Sequence, residues 1–185
     1  MIALIILGVI IVLGIMIASV YNSLVKLRNN RENAFADIDV QLKQRHDLIP
    51  QLVETVKGYA AHEKETLDGV ISARNGAVSA KSIDEKIAAE NTLTTALAGL
   101  RVTVEAYPDL KANQNFLHLQ GEISTIEEKL SAARRYFNAA TKELNNAVQI
   151  FPSNIIAGMF GFHKETMFDL GEQRSQLEEA PKIQF

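Results

Sequence analysis

The chain has 185 residues, of which 47% are hydrophobic and 6% aromatic, and its formal net charge of −3 provides no basic field for nucleic acid. The absence of cysteine excludes disulfides, thiol catalysis and thiolate metal sites together. The length accommodates one membrane anchor and one domain of ordinary size, and the absence of tryptophan with few prolines and glycines fits long helices better than sheet.

Ile2 to Val20 carries no charged side chain. At helical rise the segment spans roughly 28 Å, close to the ~30 Å hydrocarbon core of a bilayer. Because that core offers no water to backbone N–H and C=O groups, the segment is expected to be an α-helix. A cleaved signal peptide would need a basic leader and a small-x-small cleavage site, whereas only Met1 precedes the run and Ala18-Ser19-Val20-Tyr21 fits such a site poorly. Residues 1–21 are therefore expected to be an uncleaved transmembrane anchor. Gly14 and Ala18 form a small-xxx-small face that would let two anchors approach closely. Lys26, Arg28, Arg31, Lys43 and Arg45 all follow the anchor, which predicts an external amino end and a cytoplasmic remainder.

Residues 22–150 read as four helices, about 22–46, 47–80, 83–107 and 113–150. After the anchor, Phe35, Ile38, Leu42, Ile49, Leu52, Val56 and Tyr59 recur at steps of three and four, the stripe of a packed helix, with Pro50 inside the run. Arg45 falls on this stripe and is expected either to snorkel or to pair with an acid. Pro50 cannot donate to the His46 carbonyl, so a break near His46 is favoured, with Asp47 capping the second helix. Ser82-Ile-Asp-Glu85 has capping-box spacing and opens the third helix, which Pro108 and Asp109 end. The fourth carries an unbroken heptad seam from Phe116 through Leu130, Phe137 and Leu144 to Phe151. Four such helices predict an all-α fold, an N-terminal transmembrane helix followed by an antiparallel up-and-down four-helix bundle with long coiled-coil-like helices. A reversal at Asp47 would return the segment after Ile150 to the bilayer, and a mere kink at Pro50 would leave it at the far end.

Residues 151–185 read as an apolar loop and a tail. Gly158 and Gly161 permit turns, while Ile155, Ile156, Met159, Phe160 and Phe162 require burial against the bundle end, lipid or a neighbouring protomer. The tail from Glu178 to Phe185 is expected to be extended after Pro181. Candidates for chemistry are few. His62-Glu63 opens like a zinc-protease helix but lacks the second histidine, and His46, Asp47, His62 and Glu63 are the residues a metal-dependent hydrolase would have to use. Arg134-Arg135 reads as a basic pair on an outer helix face. No phosphate loop or nucleophile elbow is present, so no catalytic residue, metal or cofactor is expected.

Tyr21-Asn-Ser-Leu-Val-Lys-Leu-Arg28, Asp37-Ile-Asp-Val-Gln-Leu-Lys43, Arg45-His-Asp-Leu-Ile-Pro50, Val56-Lys-Gly-Tyr-Ala-Ala-His-Glu63, Tyr107-Pro-Asp-Leu-Lys-Ala-Asn113, Phe151-Pro-Ser-Asn154 with Gly161-Phe162, and Ala180-Pro-Lys-Ile-Gln-Phe185 occur in this order. Together they resemble the LemA family over essentially the whole chain, with Phe35 standing where tryptophan would be expected. The resemblance implies a bacterial single-pass protein of the inner membrane, with a short external amino end, a cytoplasmic helical bundle and a connection to the cell envelope. It supplies no activity and no catalytic residues. The resulting expectation is a non-enzymatic scaffold that contacts the lipid bilayer and forms homo-oligomers through Gly14, Ala18, Ile155, Ile156, Met159, Phe160, Phe162 or Phe185. An adaptor that holds another membrane protein through the tail or apolar loop is the alternative.

Overall fold

Helix accounts for nearly all of residues 1–168, the part of the chain that the computed structural model describes, and no strand occurs among them. The helices are α1 (Ile2–Lys57), α2 (Lys64–Ser79), α3 (Ile83–Glu105), α4 (Pro108–Lys111), α5 (Gln114–Gln149) and α6 (Ser153–Met159). The all-α expectation holds. Phe185 and the rest of the tail lie outside the described residues.

Two units divide these helices, one of Met1–Ile38 with Ala132–Met167 and one of Asp39–Ser131 with Phe168. In the first unit, the Phe35 ring meets that of Phe137 at 5.4 Å, and Leu24 packs in a cluster with Ala147 and Val148. Residue numbers rise along α1 as they fall along α5, so the two segments are antiparallel. In the second unit, Asp39 pairs with Lys86 and His46 with Glu90, which sets α1 parallel to α3. Tyr59 meets Asn113 while Arg45 meets Glu127, which sets α1 antiparallel to α5. Ile49, Val56, Val70, Leu93 and Leu110 are fully buried at the centre of this unit. The capping box at Ser82 forms as its spacing implies, with Glu85 N donating to Ser82 Oγ and Ser82 N to Glu85 Oε2.

The helix boundary near His46 differs from the sequence expectation. α1 runs through Pro50 without ending and stops only at Lys57. Pro50 has no N–H to offer the His46 carbonyl, but the Arg74 guanidinium does, with Nε donating to His46 O at 3.1 Å. A long-range partner thus replaces the missing helical bond, and the helix need not break. The chain reverses instead at residues 58–63, where Gly58 is a poor helix former and the Val56 carbonyl accepts from both Tyr59 N and Ala60 N. The direction of travel still reverses once before α2, and in the first unit by itself α5 runs back along α1 toward the start of the chain. Within the first unit the Phe160 ring accordingly lies 4.8 Å from that of Tyr21, and the far-end placement does not occur.

The seam of α5 stops short of Phe151. A residue before proline is disfavoured in the helical region, α5 ends at Gln149, and Phe151 is 75% exposed. The segment after it is not a loop throughout, because Ser153–Met159 is helix α6 and Gly158 lies within it.

A double-mutant cycle tests the rescue of Pro50. Arg74→Ala should lower stability to chemical unfolding by about 1 kcal/mol. In a Pro50→Ala background, where a backbone N–H can reach His46, the same substitution should cost less, with a coupling of at least about 0.5 kcal/mol. Equal costs in the two backgrounds would place the contribution of Arg74 elsewhere.

Candidate membrane interface

The apolar face of α1 has nothing among the described residues to cover it. Leu4, Ile5, Val9, Ile10, Val12 and Ile15 are all exposed, and α1 is the one described helix long and apolar enough to cross a membrane. Coverage begins only where the run ends. Ile17, Val20 and Tyr21 pack against a cluster of Leu24, Ile156, Ala157 and Phe162.

α6 is built to sit at that boundary. Ser153 Oγ donates to the Ile150 carbonyl at 2.8 Å and to the Ala147 carbonyl at 2.5 Å, tying the start of α6 to the end of α5. At the other end Gly161 takes a φ of +72°, a conformation open to glycine at little steric cost, and Phe162 N donates to Ala157 O at 2.9 Å. This reversal brings Phe162 under α6, where its ring lies 6.0 Å from Tyr21 and 5.1 Å from the Arg28 guanidinium. The extended segment beyond is held by Asn145, which accepts from Glu165 N at 2.7 Å and donates to Glu165 O at 2.9 Å. Arg31 completes the clasp, pairing with the Glu165 carboxylate at 3.3 Å and donating to Thr166 O at 3.2 Å, with its guanidinium over the Phe137 ring.

The apolar block therefore splits in two. Ile156 and Phe162 are buried, whereas Ile155, Met159 and Phe160 are at least half exposed, joined by Ile150 and Phe151. The outward group forms a collar beside the point where the apolar run of α1 ends. Gly14 and Ala18 lie on the exposed part of α1, and a Cβ added at Gly14 would meet no atom of the described residues within 4 Å.

The residues considered for hydrolysis are not gathered into one centre. His46 is buried with its Nε2 2.6 Å from Glu90 Oε1, Asp47 is exposed and pairs with Lys43, His62 is exposed, and Glu63 accepts from the Tyr107 hydroxyl at 3.2 Å. Among the described residues no group of three histidine or acidic side chains could hold a metal ion. Arg134 is buried and not on an outer face.

What the sequence reading missed is Glu90. It lies on the apolar stripe of α3 between Ile87 and Leu93, and it is 1% exposed. Arg45, also 1% exposed, pairs with both Glu90 and Glu127. Arg74, His46, Arg45, Glu90 and Glu127 thus form a polar chain through α2, α1, α3 and α5. Burial pushes the Glu90 carboxyl up, but its hydrogen bond to His46 and the Arg45 charge outweigh burial and hold it below its ordinary value.

The LemA family profile matches residues 34–185. The chain belongs to the LemA family. This LemA-family chain is 27% identical over 153 residues to Protein LemA of Metamycoplasma hominis, an alignment covering 82% of this chain and 69% of that protein. It is 21% identical over 174 residues to Magnetosome protein MamQ 2 of Paramagnetospirillum magneticum and 20% identical over 174 residues to Magnetosome protein MamQ of Magnetospirillum gryphiswaldense. Those two alignments each cover 80% of this chain and 64% of the relative, so the chain spans just under two thirds of the MamQ proteins. A LemA-family sequence with an uncovered apolar N-terminal helix is a membrane-associated protein.

The buried pair gives a pH-dependent stability with a definite sign. The folded carboxyl of Glu90 lies below its ordinary value of 4.5, so its contribution is present above that value and is lost as pH falls through the folded value. Unfolding followed by circular dichroism in detergent should show wild-type stability dropping on acidification below about 4.5. Glu90→Gln should cost about 3 kcal/mol at neutral pH, because Arg45 stays buried with one partner fewer, and should flatten that acid dependence. A variant with wild-type stability and an unchanged acid limb would remove Glu90 from the account.

Proposed function

We propose that this LemA-family protein is a non-enzymatic helical scaffold, anchored in the bacterial inner membrane by Ile2–Val20, that self-associates there and organises or maintains the cell envelope. In this reading the amino end is outside and the helices beyond Val20 are cytoplasmic, in line with Lys26, Arg28 and Arg31 just after the apolar run. The observation that carries the proposal is the apolar surface of α1, with the half-exposed α6 collar beside its end, that the described chain leaves uncovered. Confining protomers to a plane raises their effective concentration, so modest contacts are enough to assemble them. The Gly14 and Ala18 face admits close approach of a second anchor. Likeness to proteins named as LemA and as magnetosome proteins supports a role tied to a membrane structure.

The mass of the particle extracted from native membranes tests this reading, after crosslinking and in mild detergent. Wild type should run as a multimer. Gly14→Leu combined with Ala18→Leu should reduce its mass, and Met159→Ser with Phe160→Ser should add to that effect with helical content unchanged. Phe162→Ser is unsuited as a surface probe, since Phe162 is 7% exposed and its loss would also unpack α6. A single-chain mass under every condition would exclude the scaffold.

A further inference from the structure

Tyr21–Arg31 and Ile150–Lys164, the two segments that meet at the collar, contain no aspartate or glutamate, although the whole chain is net negative. Their charged side chains are Lys26, Arg28, Arg31 and Lys164. Arg31 is buried against Glu165, whereas Lys26, Arg28 and Lys164 are exposed and, among the described residues, pair with no carboxylate. Arg28 lies beside the collar, its guanidinium 5.1 Å from the Phe162 ring, and Lys164 follows Phe162 by two residues. Apolar side chains and exposed cations are therefore collected at one end of the unit, and that end is the one reached by the apolar run of α1.

Depth is consistent with one occupant. Tyr21 follows the apolar run directly and contacts both Phe160 and Phe162. Arg28 lies about 10 Å further along α1, within reach of a headgroup layer roughly 5–8 Å thick once a long side chain snorkels toward it. We propose that the α6 collar seats in the membrane interface, with Phe151, Ile155, Met159 and Phe160 at the acyl boundary and Lys26, Arg28 and Lys164 contacting the headgroups of acidic phospholipids. This deepens the membrane reading above by naming the lipid class the collar takes. Its physical basis is area burial for the apolar group and attraction of each cation to an anionic surface, worth roughly fivefold in the seating equilibrium per cation.

The chain has no tryptophan, so Phe160→Trp provides a single reporter in the full-length protein. The protein is reconstituted in phosphatidylcholine vesicles and in mixed phosphatidylcholine–phosphatidylglycerol vesicles. In the mixed vesicles the emission should be blue-shifted, quenched by lipids brominated high in the acyl chain and shielded from acrylamide. In phosphatidylcholine alone the shielding should fall by at least about twofold. Lys26→Gln, Arg28→Gln and Lys164→Gln together should erase the difference between the two lipids while the protein stays inserted. Acrylamide access in both lipids without bromolipid quenching would overturn the proposal and make α6 a lid. Equal bromolipid quenching in both would overturn the acidic-lipid assignment. Shielding that rises with protein-to-lipid ratio, without bromolipid quenching, would assign the collar to a second protomer. That last outcome defeats this inference and leaves the scaffold intact, whereas loss of the multimer in the mass measurement defeats the scaffold and leaves lipid seating intact.

Discussion

One constraint governs the molecule: a long stretch of α1 is wrapped in large apolar side chains that the described chain does not cover. Ile2 through Ile15 is exposed on every face, a state that water penalises at about 25 cal/mol per Å² of apolar surface. A helix that is hydrophobic all round belongs in a core or in lipid, and no core is supplied for it here. Its backbone groups are satisfied within the helix itself, which is the condition for residence in hydrocarbon. The placement of the other elements of the first unit follows from that boundary. α5 returns toward it, α6 packs beside it, and Gly161 turns the chain so that Phe162 closes the cluster around Leu24.

The second unit meets a different problem, the cost of carrying polar groups through an apolar interior. Arg45 and Glu90 are both 1% exposed and would each be strongly unfavourable alone. Paired with one another, and extended to His46 and Glu127, they offset each other's buried charge, although Arg45 Nε is left without a hydrogen-bond partner among the described residues. Such a network is weak evidence for added stability, since well-packed apolar residues often do as well. Its consequence is directional. Breaking one member leaves a buried charge, so the register of α1 against α3 and α5 in this unit is fixed by where Arg45 finds its two carboxylates.

Periodicity made most of this architecture legible before any coordinates. The apolar run, the stripe through Ile38, Leu42 and Ile49, the capping box at Ser82 and the seam of α5 all rest on local spacing, and each appears where the spacing puts it, the seam as far as Leu144. The misreadings came from long-range partners. Pro50 read as a break because the bond it lacks cannot be seen to be replaced from 28 residues away. Glu90 went unnoticed although its signal was present, a lone acid on one apolar stripe matching the lone arginine on another. The block after Ile150 read as a loop because Pro152, Gly158 and Gly161 obscured the single short helix, which starts after the proline and contains the first glycine. Its division into a buried half and an exposed half depends on which face meets Leu24, and that is a tertiary fact.

The central claim is that α1 lies in lipid up to Tyr21 and that α6 lies at its edge. The chain has no cysteine, so single cysteines can report on it position by position in sealed native membranes. Labelling by a water-soluble maleimide after permeabilisation should fail at Val12→Cys, be slow at Phe160→Cys and be rapid at Val102→Cys, a position 74% exposed in the second unit. Rapid labelling at Val12→Cys in the full-length membrane-bound protein would contradict the account.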